Sequence, residues 1–244
     1  MILGNFWPAA IVTLPLGVAG AIYIYMLDRQ RTHLVLDYQL DPAEHEGYSR
    51  LCEAVRAFGY IERVVQVETR QAHGDWKHNA GAVSAIQTQP VRLLQPGRVK
   101  WLETNVPIWG MQWRRGDVSL LFLPDRVLVS QGRKAAGLLY RELQITFSIG
   151  RFVEQGPVPK DAQVVGMTWQ FPNKDGGPDR RYSYNRQWPV ISVAYASFHS
   201  DAGLNLTVQA SNVTTAQAFV NTVQSYQPLA IPDSPLTSQT NQLR

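Results

Sequence analysis

The sequence predicts an α+β protein organised around an antiparallel sheet. In the stretch Val118–Ile149, the apolar run Val118–Leu123 meets Pro124-Asp125 and is followed by a second apolar run. Proline suits the second position of a tight turn and aspartate the third, so this pattern indicates a hairpin. Strands this close in sequence pair only in the antiparallel sense, because parallel pairing needs a long crossover.

A carboxyl-terminal helix is the second observation behind this fold class. After the predicted strand Leu204–Ala210, the apolar period changes from two to that of a helix. Ser211, Asn212 or Thr214 can cap the helix, and Pro228 ends it. The apolar positions are Val213, Ala216, Phe219, Val220, Val223 and Tyr226. Residues 227–244 are rich in Ser, Thr, Gln and Pro, which predicts a disordered tail.

The amino-terminal segment predicts a transmembrane helix within residues 1–30. Phe6–Leu27 contains no charged residue and no histidine, and as a helix it reaches roughly 30 Å, the thickness of a bilayer core. Arg29 and Arg31 follow it, which predicts a single-pass protein with its carboxyl-terminal domain in the cytoplasm. The rival interpretation, a cleaved signal peptide, requires a basic start and a shorter apolar core.

Small residues recur along one face of this predicted span. They are Ala9, Thr13, Gly17 and Ala21, spaced four apart. Such a stripe lets membrane helices approach closely, so one interpretation is a homo-oligomer that forms through this face. The alternative is that small residues are simply common in membrane spans.

Residues 31–104 are predicted to form a small α/β segment. His33–Tyr38 and Ile61–Thr69 are predicted strands, and Asp41-Pro42 begins a helix between them. The polar segment Ala72–Ala82 is predicted to be a loop. Its two histidines, aspartate and lysine favour a solvated loop over a metal or acid–base site, because no further ligands lie nearby.

Composition limits the chemistry. The net charge of +4 is too small to indicate nucleic acid by itself, and the single cysteine, Cys52, excludes an internal disulfide and a cysteine-based metal cage. The sequence lacks a Walker loop, a dinucleotide fingerprint, HExxH, GxSxG and a Cys/His pair. We therefore expect no catalytic residues, no metal and no cofactor.

Residues 105–226 contain about seven predicted strands followed by the helix. The run FLPDRVLVSQGRKAAGLLYREL, Phe122–Leu143, resembles the middle strands of bacterial pleckstrin-homology-like (PH-like) domains. Together with TWQFPNKDGGPDRRYSYNRQWPV, Thr168–Val190, it also resembles a group of uncharacterised bacterial proteins. The resemblance extends over Trp76 to Tyr226. It implies a PH-like antiparallel β-barrel over residues 105–226, with the carboxyl-terminal helix closing one end.

Arg114 and Arg115 are the first candidate binding residues. In lipid-binding PH domains the turn between the first two strands carries the basic residues, and here the matching turn holds these two arginines. Guanidinium groups fit phosphate geometry, so the resemblance implies an anionic lipid as ligand. The alternative is a solvated turn.

The loop Pro172–Gln187 supplies the remaining candidates. They are Lys174, Arg180, Arg181, Tyr182 and Arg186. The cations could pair internally with Asp175 and Asp179, bind a protein partner, or hold a nucleic-acid strand with the tyrosines. The sequence thus predicts a membrane-anchored, non-catalytic recruitment module. The alternative is a nucleic-acid or phosphoester-directed protein that uses the basic loop.

Overall fold

The computed structural model describes residues 34–72, 84–113, 118–131 and 134–229, and strands are the most frequent secondary structure among them. The strands are β1 Leu34–Leu36, β2 Val64–Ala72, β3 Ser84–Pro90, β4 Arg92–Leu94, β5 Leu102–Thr104, β6 Trp109–Trp113, β7 Val118–Phe122, β8 Arg126–Gln131, β9 Lys134–Leu139, β10 Gln144–Val153, β11 Gln163–Trp169, β12 Gln187–His199 and β13 Asn205–Ala210. The helices are α1 Pro42–Gly59, a 3₁₀ turn Tyr140–Glu142, and α2 Val213–Ser225.

The described residues divide into two compact units. The smaller unit comprises residues 34–38 and 97–107, in which β1 and β5 pair in parallel. The backbone N–H of Tyr38 donates to Oδ1 of Asn105 at 2.9 Å, and Nδ2 of Asn105 donates to the Tyr38 carbonyl at 2.8 Å. The larger unit contains all the other elements.

A five-stranded antiparallel sheet in the larger unit has the order β4-β6-β7-β8-β9. The predicted hairpin at Pro124-Asp125 is confirmed, since β7 and β8 pair directly from Val118↔Gln131 to Phe122↔Val127. The turn is held by the Leu123 N–H, which donates to the Arg126 carbonyl at 2.9 Å. The Arg126 guanidinium also donates to the Asp125 carboxylate, at 2.7 Å.

The second sheet has the order β10-β12-β13-β2-β3, and β11 pairs with the beginning of β12. Its strands come from both halves of the chain, because β2 pairs with β13 in the register Val64↔Ala210. Val91 alone separates β3 in this sheet from β4 in the other, and its N–H donates to the Val64 carbonyl at 2.9 Å. The chain therefore crosses between the two sheets at Val91.

Both helices begin with a side-chain cap. Oδ1 of Asp41 accepts from the Glu44 N–H at 2.7 Å, and Oε2 of Glu44 accepts from the Asp41 N–H at 2.9 Å; together they form the capping box of α1. Asn212 caps α2 by accepting from the Thr215 N–H at 2.9 Å. The buried residues of α1 are Tyr48, Leu51, Cys52, Val55 and Phe58; those of α2 are Ala216, Phe219, Val220 and Val223.

Phe219 of α2 joins the helices to both sheets. Its ring stacks on Phe58 of α1 at 4.5 Å, meets Phe122 of β7 edge-on at 5.8 Å, and lies 6.2 Å from Phe198 of β12. All three separations lie in the range where aromatic pairs add stability beyond the area they bury. The core of the larger unit is centred on this cluster.

The predicted closed PH-like barrel over residues 105–226 is wrong. Two sheets form instead, and no closed barrel occurs in the part of the chain that the structure describes. The strands β2, β3 and β4, which precede Asn105, complete these sheets rather than a separate α/β piece. The physical reason is pairing: without β2, the edge of β13 that receives Val64–Val67 would carry unpaired backbone groups.

The predicted transmembrane anchor must also be corrected. Of the described residues, no helix is long and apolar enough to cross a membrane. The span Phe6–Leu27 and the stripe Ala9, Thr13, Gly17 and Ala21 lie outside the described residues. The predictions of a single-pass membrane protein, an integral membrane partner and a cytoplasmic carboxyl-terminal domain are therefore not supported by the structure.

Val220 tests the packing of α2. The side chain is 1% exposed, so Val220→Asp buries an unpaired carboxylate and should lower the free energy of unfolding by about 3 kcal/mol or more. Urea denaturation is the measurement. Ala218→Asp on the exposed face of the same helix is the control and should cost less than about 1 kcal/mol. Equal midpoints for the two variants would contradict the packing described.

Candidate functional site

The structure describes only part of the predicted binding surface. Arg114 and Arg115 lie outside the described residues, and their assignment stays a prediction. The loop Pro172–Gln187 is described throughout and connects β11 to β12.

The base of this loop extends the β11–β12 ladder. The Gln170 N–H donates to the Arg186 carbonyl at 2.8 Å, one step beyond the last strand pair, Trp169↔Gln187. At the next step the Asn185 side chain replaces a backbone amide. Its Oδ1 accepts from the Phe171 N–H at 2.9 Å and its Nδ2 donates to the Phe171 carbonyl at 2.7 Å. The two ends of the loop are thereby joined.

A tight turn at Asn173 forms the first half of the loop. Oδ1 of Asn173 accepts from the N–H groups of Asp175 and Gly177, at 3.1 and 2.7 Å. Gly176 has φ of +82°, a conformation that favours glycine. Lys174 is exposed at the tip of this turn.

Asp179 and Arg181 hold the second half. The carboxylate of Asp179 is buried, and its Oδ1 accepts from the Arg181 backbone N–H at 3.1 Å and from Nε at 2.9 Å. Nη2 of Arg181 also donates to Oδ2 of Asp179. These hydrogen bonds, together with the charge of the carboxylate, raise the pKa of Arg181 above its usual value. The guanidinium is mostly exposed but is already engaged by Asp179.

Two aromatic contacts attach the loop to its base. The Tyr182 ring stacks on Phe171 with centroids 4.1 Å apart and an interplanar angle of 16°. The guanidinium of Arg186 lies 5.7 Å from the ring of the buried Trp188, within the range of a cation–π interaction. One face of Tyr182 is therefore covered by the loop itself.

Most of the other charged and aromatic side chains of the loop face solvent. Lys174, Arg180 and Arg186 are exposed, and Tyr184 is 92% exposed. We refer to these four residues as the loop surface. The loop has two acidic residues, Asp175 and Asp179, and Asp179 is paired with Arg181. The three cations of the loop surface therefore outnumber the one remaining acidic residue, and the loop surface has a net positive charge.

The strand that enters the loop adds exposed apolar side chains. Val164, Val165 and Met167 of β11 are 49%, 43% and 55% exposed. Val165 and Met167 alternate with less apolar residues in the sequence, a pattern typical of a half-buried strand, so the pattern alone does not reveal their exposure. A register shift between Val164 and Gly166 interrupts the alternation. Gly166 was the available signal, because an isolated glycine in a strand pattern often marks a bulge.

The start of β11 is positioned by polar contacts of the preceding segment. The buried carboxylate of Glu154 pairs with the Arg63 guanidinium at 2.5 Å. Asp161 accepts from the Ser211 hydroxyl at 2.7 Å and from the Glu62 N–H at 2.9 Å. These contacts anchor the β10–β11 connection to the sheet, so we interpret this cluster as structural.

Within the described ranges, no group of three His, Cys, Asp or Glu side chains could hold a metal ion. Cys52 is buried in α1, and burial raises the pKa of its thiol to about 11. A protonated, buried thiol is a poor nucleophile. The chemistry available at the loop surface is therefore the binding of negative charge and apolar groups.

Comparisons with known proteins add no assignment. No protein-family model, no curated protein and no solved structure matches the chain.

Asn185 tests the hydrogen-bonded base of the loop. Asn185→Asp keeps the acceptor for Phe171 N–H but replaces the donor to its carbonyl with an oxygen. We expect a loss of about 1–3 kcal/mol in the free energy of unfolding. We also expect faster cleavage by trypsin after the loop cations Lys174, Arg180, Arg181 and Arg186, because local opening exposes the backbone to the protease.

The control is Asn221→Asp on the exposed face of α2. Cleavage of this control should follow the parent protein. If Asn185→Asp and Asn221→Asp are cut in the loop at the same rate, the Asn185 amide does not hold the loop closed.

Proposed function

We propose that this protein is a non-catalytic binding module that recruits a protein partner by holding an acidic, partly apolar segment of it. The binding surface is the loop surface together with the exposed apolar residues of β11. One observation carries the proposal: the loop is braced by its own hydrogen bonds, while Lys174, Arg180 and Arg186 remain exposed.

These internal hydrogen bonds matter because a flexible loop loses conformational entropy when it becomes ordered on binding, and that loss weakens association. Here the Asn185 bonds to Phe171, the Asn173 turn and the Asp179–Arg181 pair already fix the backbone that carries the cations. The favourable contacts of a partner then contribute more fully to the binding free energy.

The residue types suit a protein partner. Tyrosine, methionine and arginine are enriched at protein interfaces, and tyrosine and arginine among the residues that dominate affinity. Tyr184 and Met167 supply exposed contact area, and Arg180 and Arg186 can each grip a carboxylate with two parallel hydrogen bonds.

Two observations favour protein over a nucleic-acid strand. Binding single strands relies on free aromatic faces on which bases stack. Tyr184 is exposed, but one face of Tyr182 is covered by Phe171, and the Arg186 guanidinium lies over Trp188. Arg181 is engaged by Asp179, which further reduces the charge available to a phosphate backbone.

Two reactive groups of the chain, one carboxylate and one thiol, support the non-catalytic part of the proposal. Asp179, the buried carboxylate of the loop, is bound to Arg181, and the Cys52 thiol is buried with a raised pKa. General acid–base or nucleophilic catalysis requires a group that reaches a substrate. Neither group is so placed.

Charge reversal tests the proposal. The triple variant Lys174→Glu, Arg180→Glu, Arg186→Glu should weaken binding of a short peptide of alternating glutamate and leucine by about ten-fold or more at low ionic strength. Fluorescence anisotropy of the labelled peptide is the measurement. The difference should shrink as salt is added, because exposed charges are screened.

The control is a second triple reversal, Arg50→Glu, Arg92→Glu, Arg141→Glu, at exposed positions outside the loop. It changes the net charge by the same amount, so it separates a local surface from a general electrostatic effect. Equal weakening in both triples would refute the loop surface. Tighter binding of oligothymidine than of the acidic peptide by the parent would favour the nucleic-acid alternative.

A further inference from the structure

The strand β10, Gln144–Val153, lies at an edge of the second sheet. It pairs along its whole length with β12, from Gln144↔His199 to Val153↔Val190, and with no other strand of the described ranges. At ten residues it is longer than most strands, which usually have about five or six. One side of a long strand is therefore left without a partner strand.

Two hydrogen bonds show which backbone groups of β10 face outward. The Glu154 N–H donates to the Pro189 carbonyl at 2.8 Å, in the register of the β10–β12 ladder. Because the bonded side alternates along an antiparallel strand, the even-numbered residues of β10 face β12 and the odd-numbered residues face outward. The Ile145 carbonyl agrees with this assignment, since it accepts from Nε2 of Gln224 in α2 at 2.8 Å.

Three residues beyond Ile145 form the free part of this edge. They are Phe147, Ile149 and Arg151, and no described residue donates to or accepts from their outward backbone groups. The Ile149 side chain is 62% exposed, and Arg151 is exposed on the same face of the strand. Unpaired backbone groups beside an exposed apolar side chain are a template for another strand.

The β10 edge lacks the features that usually protect an edge strand. Proline, lysine, bulges and very short strands discourage pairing with another chain. Neither proline nor lysine occurs in the β10 sequence, QITFSIGRFV, and its pairing with β12 has no register shift. Three other border strands have such features: β4 has three residues, β3 ends at Pro90, and the pairing of β11 shifts at Gly166. This contrast indicates that the β10 edge is kept available for pairing.

Gly150 does not weaken the middle of β10, because an aromatic ring packs against it. A Cβ atom placed on Gly150 would lie 2.6 Å from Cε2 of Tyr195 in β12. A ring over a glycine of the neighbouring strand restores packing that the glycine itself cannot provide. Because successive residues point to opposite faces, this ring leaves the face of Ile149 open.

The side chains of β10 allow the strand to pair with a second copy of itself. In an antiparallel pair with its two-fold axis at Ile149, the two isoleucines lie opposite each other, and Phe147 of each copy lies opposite Arg151 of the other. The exposed isoleucines then cover each other, and each guanidinium meets an aromatic ring, which is a favourable cation–π arrangement. Arg151 is the one charged residue of β10, so this register opposes no like charges.

Two other positions of the axis are less favourable. An axis at Arg151 would place two guanidinium groups directly opposite each other. An axis at Phe147 would require the Ile145 carbonyl, which already accepts from Gln224. The axis at Ile149 uses all three free residues of the edge and provides about six backbone hydrogen bonds, two for each of three pairs.

We propose that this chain forms a symmetric dimer in which the β10 strands of two copies pair in the antiparallel sense about Ile149. The second sheet then continues from one copy into the other. The pairing uses no residue of the loop surface, so it is independent of the partner binding proposed above.

Sedimentation equilibrium of the full chain tests the dimer. The parent should dimerise at micromolar concentrations, and Ile149→Lys should weaken dimerisation by about ten-fold or more, because it removes the paired isoleucines and opposes two ammonium groups. Met167→Lys is the control, since Met167 is 55% exposed in β11 and the change adds the same charge to another strand. This control and the loop triple reversal should dimerise like the parent. A monomeric parent, or equal weakening by the two lysine variants, overturns the proposal.

Cysteine cross-linking tests the register. Ile149→Cys should form a covalent dimer on mild oxidation, because the two positions lie opposite each other with Cα atoms about 5.5 Å apart, within reach of a disulfide. In Arg151→Cys the same register separates the two positions by four residues along the strand, roughly 13 Å, so this variant should stay monomeric in non-reducing electrophoresis. The natural Cys52 is buried, which shields it from the oxidant. Failure of Ile149→Cys to cross-link, or equal cross-linking of both variants, would exclude this pairing.

Discussion

The aromatic cluster around Phe219 is the interaction on which the larger unit depends. One ring contacts α1 through Phe58, the five-stranded sheet through Phe122 and the six-stranded sheet through Phe198. Each sheet needs a second layer to cover its apolar face, and the helices supply part of it. Because the three contacts converge on a single side chain, the helices and both sheets share one core, and the edges of the sheets are free to differ in chemistry.

Local features of this architecture could be predicted from sequence, whereas long-range pairing could not. The turn at Pro124-Asp125 and the caps at Asp41 and Asn212 are encoded by neighbouring residues, and the structure contains all three. The pairing of β2 with β13 joins residues far apart in the chain. The apolar pattern of a strand does not determine which other strand it pairs with. The resemblance to PH-like domains suggested a barrel complete within residues 105–226, and that expectation failed for this reason.

The candidate site could likewise be predicted only in part. Composition indicated a basic, aromatic loop, but it could not distinguish the cations that hold the loop from those that face outward. Arg181 is bound to Asp179 because the backbone between them turns and brings the two side chains together. The sequence of β11 has the alternation of a half-buried strand, yet Val164, Val165 and Met167 are all exposed. The strand pairs with the beginning of β12 beside the main sheet, and a register shift at Gly166 interrupts that pairing.

The loop surface lies where a sheet ends, and this placement has a physical basis. A central strand is packed on both sides, so an irregular residue there weakens the core directly. β11 pairs with β12 at the border of the second sheet, and the loop continues from the end of β11. The hydrogen bonds between Asn185 and Phe171 join the two ends of the loop, so its backbone is held without any contribution from the core around Phe219. The cations of the loop can therefore face solvent without weakening that core.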